Sequence, residues 1–132
     1  DMSRITADLR EVSLTCYRLA ELVAEKTDSR IVLQQKEYQV LDRAFHLLLD
    51  ALGQVALDVY QNDTTEDNHY EVYSEKYEHF QSNFKMIQCA QEENVDMRSK
   101  LLGADIMAQM FMLNRQIRRI GEVLNVKRIK GW

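Results

Sequence analysis

Apolar residues recur along this chain at alternating spacings of four and three, and this pattern restricts the fold more than any other feature of the sequence. Successive residues of an α-helix turn by about 100°, so positions spaced in this way share one face. Four separate segments carry such an apolar stripe, and a single helix cannot hide its own stripe from water. The pattern predicts an all-α protein, an antiparallel up-down-up-down four-helix bundle in which the four stripes form one core.

The stripes also place the predicted helices along the chain. The stripe residues are Ile5, Leu9, Val12, Cys16, Leu19 and Val23; Leu41, Phe45, Leu48, Leu52, Val55 and Val59; Tyr73, Tyr77, Phe80, Phe84 and Ile87; and Ile106, Met110, Leu113, Ile117, Ile120 and Leu124. We expect helices over about residues 6–26 and 31–61, with a bend or a separate short helix in the first turns of the second. Asp28 and Ser29 are predicted to cap the second helix, Asn68 the third and Asp96 the fourth.

Turn-forming residues are scarce, which argues against most β architectures. The 132 residues include no proline and four glycines, where average usage gives about seven and about nine. Sandwiches and barrels need these residues at their many turns. The length suits one domain, 1–132, of which we assign residues 126–132 to a short basic tail.

Neither a membrane span nor secretion is indicated by the sequence. The longest run without Asp, Glu, Lys or Arg covers nine residues, 106–114, which is too short to cross a bilayer. Residues 1–10 alternate charged and apolar side chains, unlike the hydrophobic run of a signal peptide. The two cysteines, Cys16 and Cys89, stand in no metal or redox motif and suit a reducing compartment. We therefore expect a soluble, cytoplasmic protein.

Two rows of titratable side chains are candidate metal sites, because Asp and His at helical spacing can share a divalent cation. Asp42, His46 and Asp50 form one row on the second helix, and a second row with His79 lies on the third. Both rows lie opposite or oblique to the apolar stripes, so we expect them in solvent. Carboxylate-bridged metal bundles need inward-facing Glu and Glu-x-x-His pairs, which these rows do not provide. Neither a metal nor another cofactor is predicted.

Residues 44–53, which surround His46, resemble the phosphorylatable-histidine helix of histidine phosphotransfer domains, which are also four-helix bundles. The resemblance implies that an exposed His46 accepts a phosphoryl group. That family has a lysine three residues after the histidine and then a small residue, whereas this chain has Leu49 and Asp50. Asp50 would repel a phosphoryl group, which puts the activity in doubt. The sequence also lacks a nucleophile elbow and a phosphate-binding glycine loop, so we predict no enzyme.

Residues 106–113 are apolar on more than one helical face and include three methionines. Two interpretations remain open at this point. The fourth helix lies at the centre of its own bundle, or its surplus apolar face, with Met107, Met110 and Phe111, docks a partner such as a second copy of the chain.

The C-terminal segment is basic although the chain as a whole has a net charge of −4. The basic residues are Arg115, Arg118, Arg119, Lys127, Arg128 and Lys130, and Arg118 is spaced to pair with Glu122. One interpretation is a docking segment for an acidic protein, with Trp132 as an apolar anchor. The alternative is contact with nucleic-acid phosphates. The acidic remainder of the chain favours the protein partner.

These observations predict a protein that works by binding. The expected role is a small adaptor, regulator or accessory subunit that self-associates or docks a protein through the fourth helix and the basic C-terminus. A nucleic-acid-binding accessory protein is the first alternative, and a phosphotransfer module acting through His46 is the second. No membrane partner is expected.

Overall fold

The computed structural model describes residues 2–61, 69–90 and 96–129, and over these ranges it contains four α-helices and no strand. In chain order the helices are α1 (Met2–Asp28), α2 (Gln35–Gln61), α3 (His69–Cys89) and α4 (Met97–Ile129). The prediction of an all-α protein built from four helices is confirmed. Within the described residues, no helix has a stretch both long and apolar enough to cross a lipid bilayer.

The first connection differs from the predicted one, because α1 extends further and α2 begins four residues later than expected. α1 runs to Asp28, so the prediction that Asp28 and Ser29 cap the second helix is wrong. Arg30 has a φ of 55°, and the Ile31 N–H donates to the Lys26 carbonyl over 3.0 Å. A left-handed residue followed by a bond back to the last turn is a Schellman motif, which satisfies carbonyls at the end of α1.

Residues 31–34, which lead from this motif into α2, close one end of the core instead of starting a helix. Ile31 and Leu33 are buried, with exposed fractions of 6% and 9%. Ser99 of α4 donates its hydroxyl to the Val32 carbonyl over 2.9 Å, which ties the segment to α4. The apolar side chains that suggested a first helical turn are therefore buried from a non-helical backbone.

α4 begins where the sequence predicts. The Arg98 N–H donates to Oδ1 of Asp96 over 3.0 Å, which confirms Asp96 as the N-cap. This backbone hydrogen bond, helped by the Arg98 guanidinium, holds the pKa of the Asp96 carboxyl below its ordinary value. The Asn68 cap predicted for α3 lies outside the described residues. α4 continues through residues 126–129, which the sequence assigned to the tail.

α4 occupies the centre of the arrangement, because it packs against α1, α2 and α3. Its predicted stripe is buried from Ile106 to Ile120, and Leu124 is partly buried. α2, α3 and α4 also pack against one another. Among the described helices α1 packs against α4 alone, and its backbone does not come close to α2 or α3. The helices therefore leave a gap between α1 and α2 that a closed bundle would not have.

Aromatic side chains of α3 fill the space between α2 and α4. Tyr77 is fully buried, its hydroxyl donates to the Met107 carbonyl over 3.2 Å, and burial raises the pKa of its phenol. Gly121 makes room for Tyr70, because a Cβ at this position would overlap the Tyr70 ring. The Tyr70 hydroxyl donates to Oδ2 of Asp58 on α2 over 2.5 Å. One aromatic side chain thus bridges all three helices.

Candidate functional site

A long apolar groove lies between α1 and α2, with α4 as its floor. Its volume is about 760 Å³, and side chains of all three helices line it. Ile106, Met110 and Leu113 form the floor and are at most 5% exposed. The groove follows the gap between α1 and α2, so the outer parts of both walls face solvent.

On α1 the apolar stripe is divided between the core and the groove. Every second stripe residue is buried against α4: Ile5, Val12 and Leu19 are 1%, 6% and 5% exposed. The alternate residues, Leu9, Cys16 and Val23, are less covered. Leu9 and Val23 are 37% and 52% exposed, Cys16 is half-buried, and Cys16 and Val23 line the groove. α4 therefore covers only one of the two apolar positions in each heptad of α1.

The α2 stripe is divided in the same way. Leu41, Leu48 and Val55 are 5%, 1% and 3% exposed, whereas Phe45 is 36% exposed and Leu52 is partly buried. Phe45 and Leu52 line the groove from the side opposite α1. Both walls therefore present side chains that are seven residues apart, and a neighbouring helix would normally cover such positions.

Two groove residues of α2 lie outside the predicted stripe and were missed from the sequence. Tyr38 and Leu49 are 57% and 46% exposed, and each extends the apolar wall beyond Phe45. The signal that could have found them is the width of the apolar face, since Leu47, Leu48 and Leu49 in succession place leucines on three sides of α2.

The chemistry of the groove is that of a contact surface. Lys26 and Asp42 are the charged residues among those that line it. Ala20 and Ala24 keep the α1 wall low, which leaves space for an approaching backbone. Cys16 is the groove's thiol, and burial raises its pKa, so at neutral pH it is a protonated packing group and not a thiolate nucleophile.

The predicted partner residues of α4 divide between core and surface. Met107 and Met110 are both 4% exposed, so they pack inside the molecule, and Met110 reaches only the groove floor. Phe111 is 36% exposed and lies under the Arg115 guanidinium, 5.9 Å from its carbon to the ring centre. This placement supports the interpretation that α4 is the central helix of its own fold.

Two arginines of α4 form ion pairs within the described part of the chain. Arg118 pairs with Glu122 over 3.7 Å, as the spacing predicts, and Arg119 pairs with Glu11 of α1 over 3.8 Å. All four side chains remain about half exposed or more, so these pairs contribute little to stability. The remaining basic-segment residues, Lys127, Arg128, Lys130 and Trp132, have side chains outside the described residues.

The row of Asp42, His46 and Asp50 meets His79 of the second row along a second, shallower cleft between α2 and α3. His46 and Asp50 of α2 and Lys76 and His79 of α3 line this cleft of about 630 Å³. His46 Nδ1 lies 2.8 Å from the Asp42 carbonyl, in an exposed position. Within the described part of the chain, no three His, Cys, Asp or Glu side chains are grouped so that they could hold a metal ion.

Comparison of the chain with protein-family models, with curated proteins and with solved structures finds no match.

Proposed function

We propose that this is a non-enzymatic binding protein, a small adaptor, regulator or accessory subunit that docks a protein partner in the groove between α1 and α2. The observation that carries the proposal is that the apolar stripes of α1 and α2 are both divided between the core and the groove. Two helices face one another across a gap, and each leaves its second heptad position only partly covered. Apolar side chains arranged in one continuous strip are typical of interaction sites, whereas single exposed ones are ordinary.

The energetics favour a reversible complex. Val23, Tyr38, Phe45 and Leu49 are 36–57% exposed, so a partner would cover about half of each side chain. Full burial of such a side chain contributes about 1.5–3 kcal/mol, so covering half of each contributes about 1 kcal/mol per residue. A micromolar complex needs about 8 kcal/mol, so the partner's own apolar surface must supply the rest. The groove side chains supply about half of that free energy, and association has its own entropic cost, so we expect a contact no tighter than micromolar.

We also infer that the helices alternate in direction, as the short connections predict. Cross-helix contacts support this inference. Near the start of α3, Ser74 accepts a hydrogen bond from Asn114, which lies in the middle of α4. Near the end of α3, Gln88 donates to the carbonyl of Lys100, which lies near the start of α4. Along α1 and α4, the ion pair of Arg119 with an early α1 residue fits the same opposite order. In this topology α1 and α2 form antiparallel walls of the groove.

A cytoplasmic location remains part of the proposal. Cys16 and Cys89 are both free thiols and lie on different helices. Unpaired cysteines are ordinary in a reducing compartment and less so in secreted domains of this size.

The test is comparative capture from an extract of the native cells. Wild-type protein, a Val23→Glu variant and a Tyr17→Glu variant serve as baits. Val23 lines the groove, whereas Tyr17 is an exposed α1 residue that does not, so the two variants add the same charge to different faces. Both positions are more than half exposed, so both variants should fold, which circular dichroism checks. We expect a protein that wild type and Tyr17→Glu retain and that Val23→Glu retains at least tenfold less.

If Val23→Glu and Tyr17→Glu retain the same proteins in equal amounts, the groove is not a partner site and the proposal fails. Light scattering over a dilution series of each bait gives a second readout. An oligomer that only Val23→Glu dissociates would make a second copy of the chain the partner.

A further inference from the structure

The groove's dimensions and spacing restrict what can occupy it, if the proposed function is right that a protein docks there. Its α1 wall extends from Cys16 to Thr27 and its α2 wall from Tyr38 to Leu52. At 1.5 Å per residue these walls are about 17 Å and about 21 Å long. An occupant that fills this length as an α-helix needs about 14 residues, or four turns.

The repeat along the walls distinguishes a helix from an extended peptide. On α1, Cys16 and Val23 are seven residues apart, and on α2, Phe45 and Leu52 have the same separation. Seven residues of helix rise by about 10.5 Å. Side chains on one face of an extended strand repeat every two residues, about 6.8 Å, and would not stay in register with such walls. A helix with its own seven-residue repeat places one apolar side chain between each pair of wall positions.

The composition of the walls defines the face of the occupant. Lys26 and Asp42 are the charged lining residues, and the remaining contacts come from apolar, aromatic and small side chains. A charged residue on the occupant's inner face would lose its water without gaining an opposite charge along most of the groove. Ala20 and Ala24 on α1 leave room for a backbone to lie close.

A second copy of the chain that docks groove against groove is a poor fit. Two identical subunits related by a two-fold axis present the same surface to each other. Here that surface is a concave groove of about 760 Å³, so two facing grooves would enclose empty space instead of filling it. A convex occupant is needed, and a helix is the convex element whose repeat matches the walls.

We infer that the α1–α2 groove binds an amphipathic α-helix of a partner protein, about 14 residues long, through an uncharged apolar stripe at positions i, i+3 or i+4, and i+7. The bound helix packs across the uncovered heptad positions of α1 and α2 over the floor formed by α4. It therefore completes the helical packing that this chain begins.

A displayed library of 16-residue peptides with every position randomised tests the inference. Peptides are selected on the wild-type protein and then depleted of those that also bind Val23→Glu. We expect the retained peptides to converge on uncharged apolar residues at i, i+3 or i+4, and i+7. When synthesised, such a peptide should gain helical circular dichroism on binding and should bind Tyr17→Glu as it binds wild type.

The Cys16 thiol reports occupancy directly. In a Cys89→Ser background the alkylation of Cys16 should slow at least tenfold at saturating peptide, because Cys16 lines the groove and Cys89 is exposed on α3. A Leu49→Gln variant, altered on the opposite wall at a 46% exposed position, should weaken peptide binding about as Val23→Glu does.

Four results would overturn the inference. Groove-dependent peptides with apolar residues at every second position would indicate an extended occupant. An oligomer dissociated by Val23→Glu would indicate a second copy, and a small apolar molecule retained in native mass spectra by wild type but not by Val23→Glu would indicate a lipid-like ligand. If no displayed peptide depends on Val23 while a captured cellular protein does, the proposed function stands and the helical occupant does not.

Discussion

α1 and α3 both pack against the central helix, yet only α3 also reaches α2. The difference lies in the size of the side chains that each helix offers. α3 presents Tyr77 and Phe84, which are 0% and 1% exposed and fill the space between three helices. Towards α2, α1 presents Cys16, Ala20 and Val23. Aromatic side chains bury about 150–250 Å² each, so a helix that carries them gains far more by closing the gap than one that does not.

The comparison teaches that an apolar stripe does not by itself specify how completely it is covered. Both helices have the heptad spacing, and both bury part of it. On the α3 side, volume and hydrogen bonds complete the packing; on the α1 side, the same spacing leaves a groove. The two sides should therefore respond differently to truncation, to added volume and to pH.

Truncating one phenylalanine on each side should give the largest contrast. Phe84→Ala removes a side chain that is 1% exposed, and we expect a loss of about 3–5 kcal/mol in the free energy of unfolding. Phe45→Ala acts on a groove residue that is 36% exposed, and the loss should be below about 1.5 kcal/mol. Urea unfolding followed by circular dichroism measures both. Equal losses would mean that the groove wall is packed as tightly as the α3 side.

Adding a methyl group should have opposite effects at two glycines, one packed under α3 and one on the exposed surface of α2. A Cβ at Gly121 would overlap the Tyr70 ring, so Gly121→Ala should cost about 1–3 kcal/mol. Gly53 lies on α2 with nothing within 4 Å of the corresponding position, so Gly53→Ala should stabilise by about 0.5–1 kcal/mol through helix propensity alone. Thermal unfolding of the two variants beside wild type measures the difference. A stabilising Gly121→Ala would contradict the close approach of α3 to α4.

A buried carboxylate on the α3 side, that of Glu37, predicts a smaller, pH-dependent effect on stability. Glu37 is 0% exposed, and neither carboxylate oxygen has a hydrogen-bond partner within the described part of the chain. Oε2 lies against Gly103, where a Cβ would be 2.7 Å away. Burial raises the pKa of Glu37 above its ordinary value of 4.5, and Lys100 offsets this only in part.

The direction of the pH effect follows from this raised pKa. Below about pH 4 the Glu37 carboxyl is protonated in both the folded and the unfolded chain, so its burial as a charged group does not lower the free energy of unfolding. As the pH rises, the unfolded chain releases its proton first, so the Glu37 contribution to stability falls until the folded pKa is passed. Glu37→Gln removes the titrating group, so its stability relative to wild type should be greatest at pH 7 and should decline as the pH falls towards 4. A pH-independent difference between the two proteins would show that Glu37 is not the group that titrates.

Much of the fold follows from local sequence, and the errors in the prediction also have local causes. The four helices, the Asp96 cap and the Arg118–Glu122 pair were predicted correctly because each depends on spacing within a few residues. The start of α2 was predicted wrongly because Ile31 and Leu33 have the apolar character of a helix face. The Schellman motif at Arg30 instead turns the chain, and these side chains cover the end of the core.

The candidate site could not be predicted from the sequence because it depends on distances between helices. Val23 and Leu19 belong to the same stripe, yet one is 52% exposed and the other 5%. Nothing in their local sequence separates them. The apolar surplus at Met107 and Met110, which suggested a partner surface, is instead absorbed by the position of α4 among three neighbours.

The sequence by itself determined that the described part of this protein is helical, how many helices it contains and which face of each is apolar, because helical periodicity is a property of consecutive residues. Only the tertiary structure decided which apolar positions are covered. Coverage depends on how close two helices approach, and the volumes of the side chains that each helix presents affect that distance. α3 carries the volume to close its side, and α1 does not, so the groove lies where α1 and α2 stay apart.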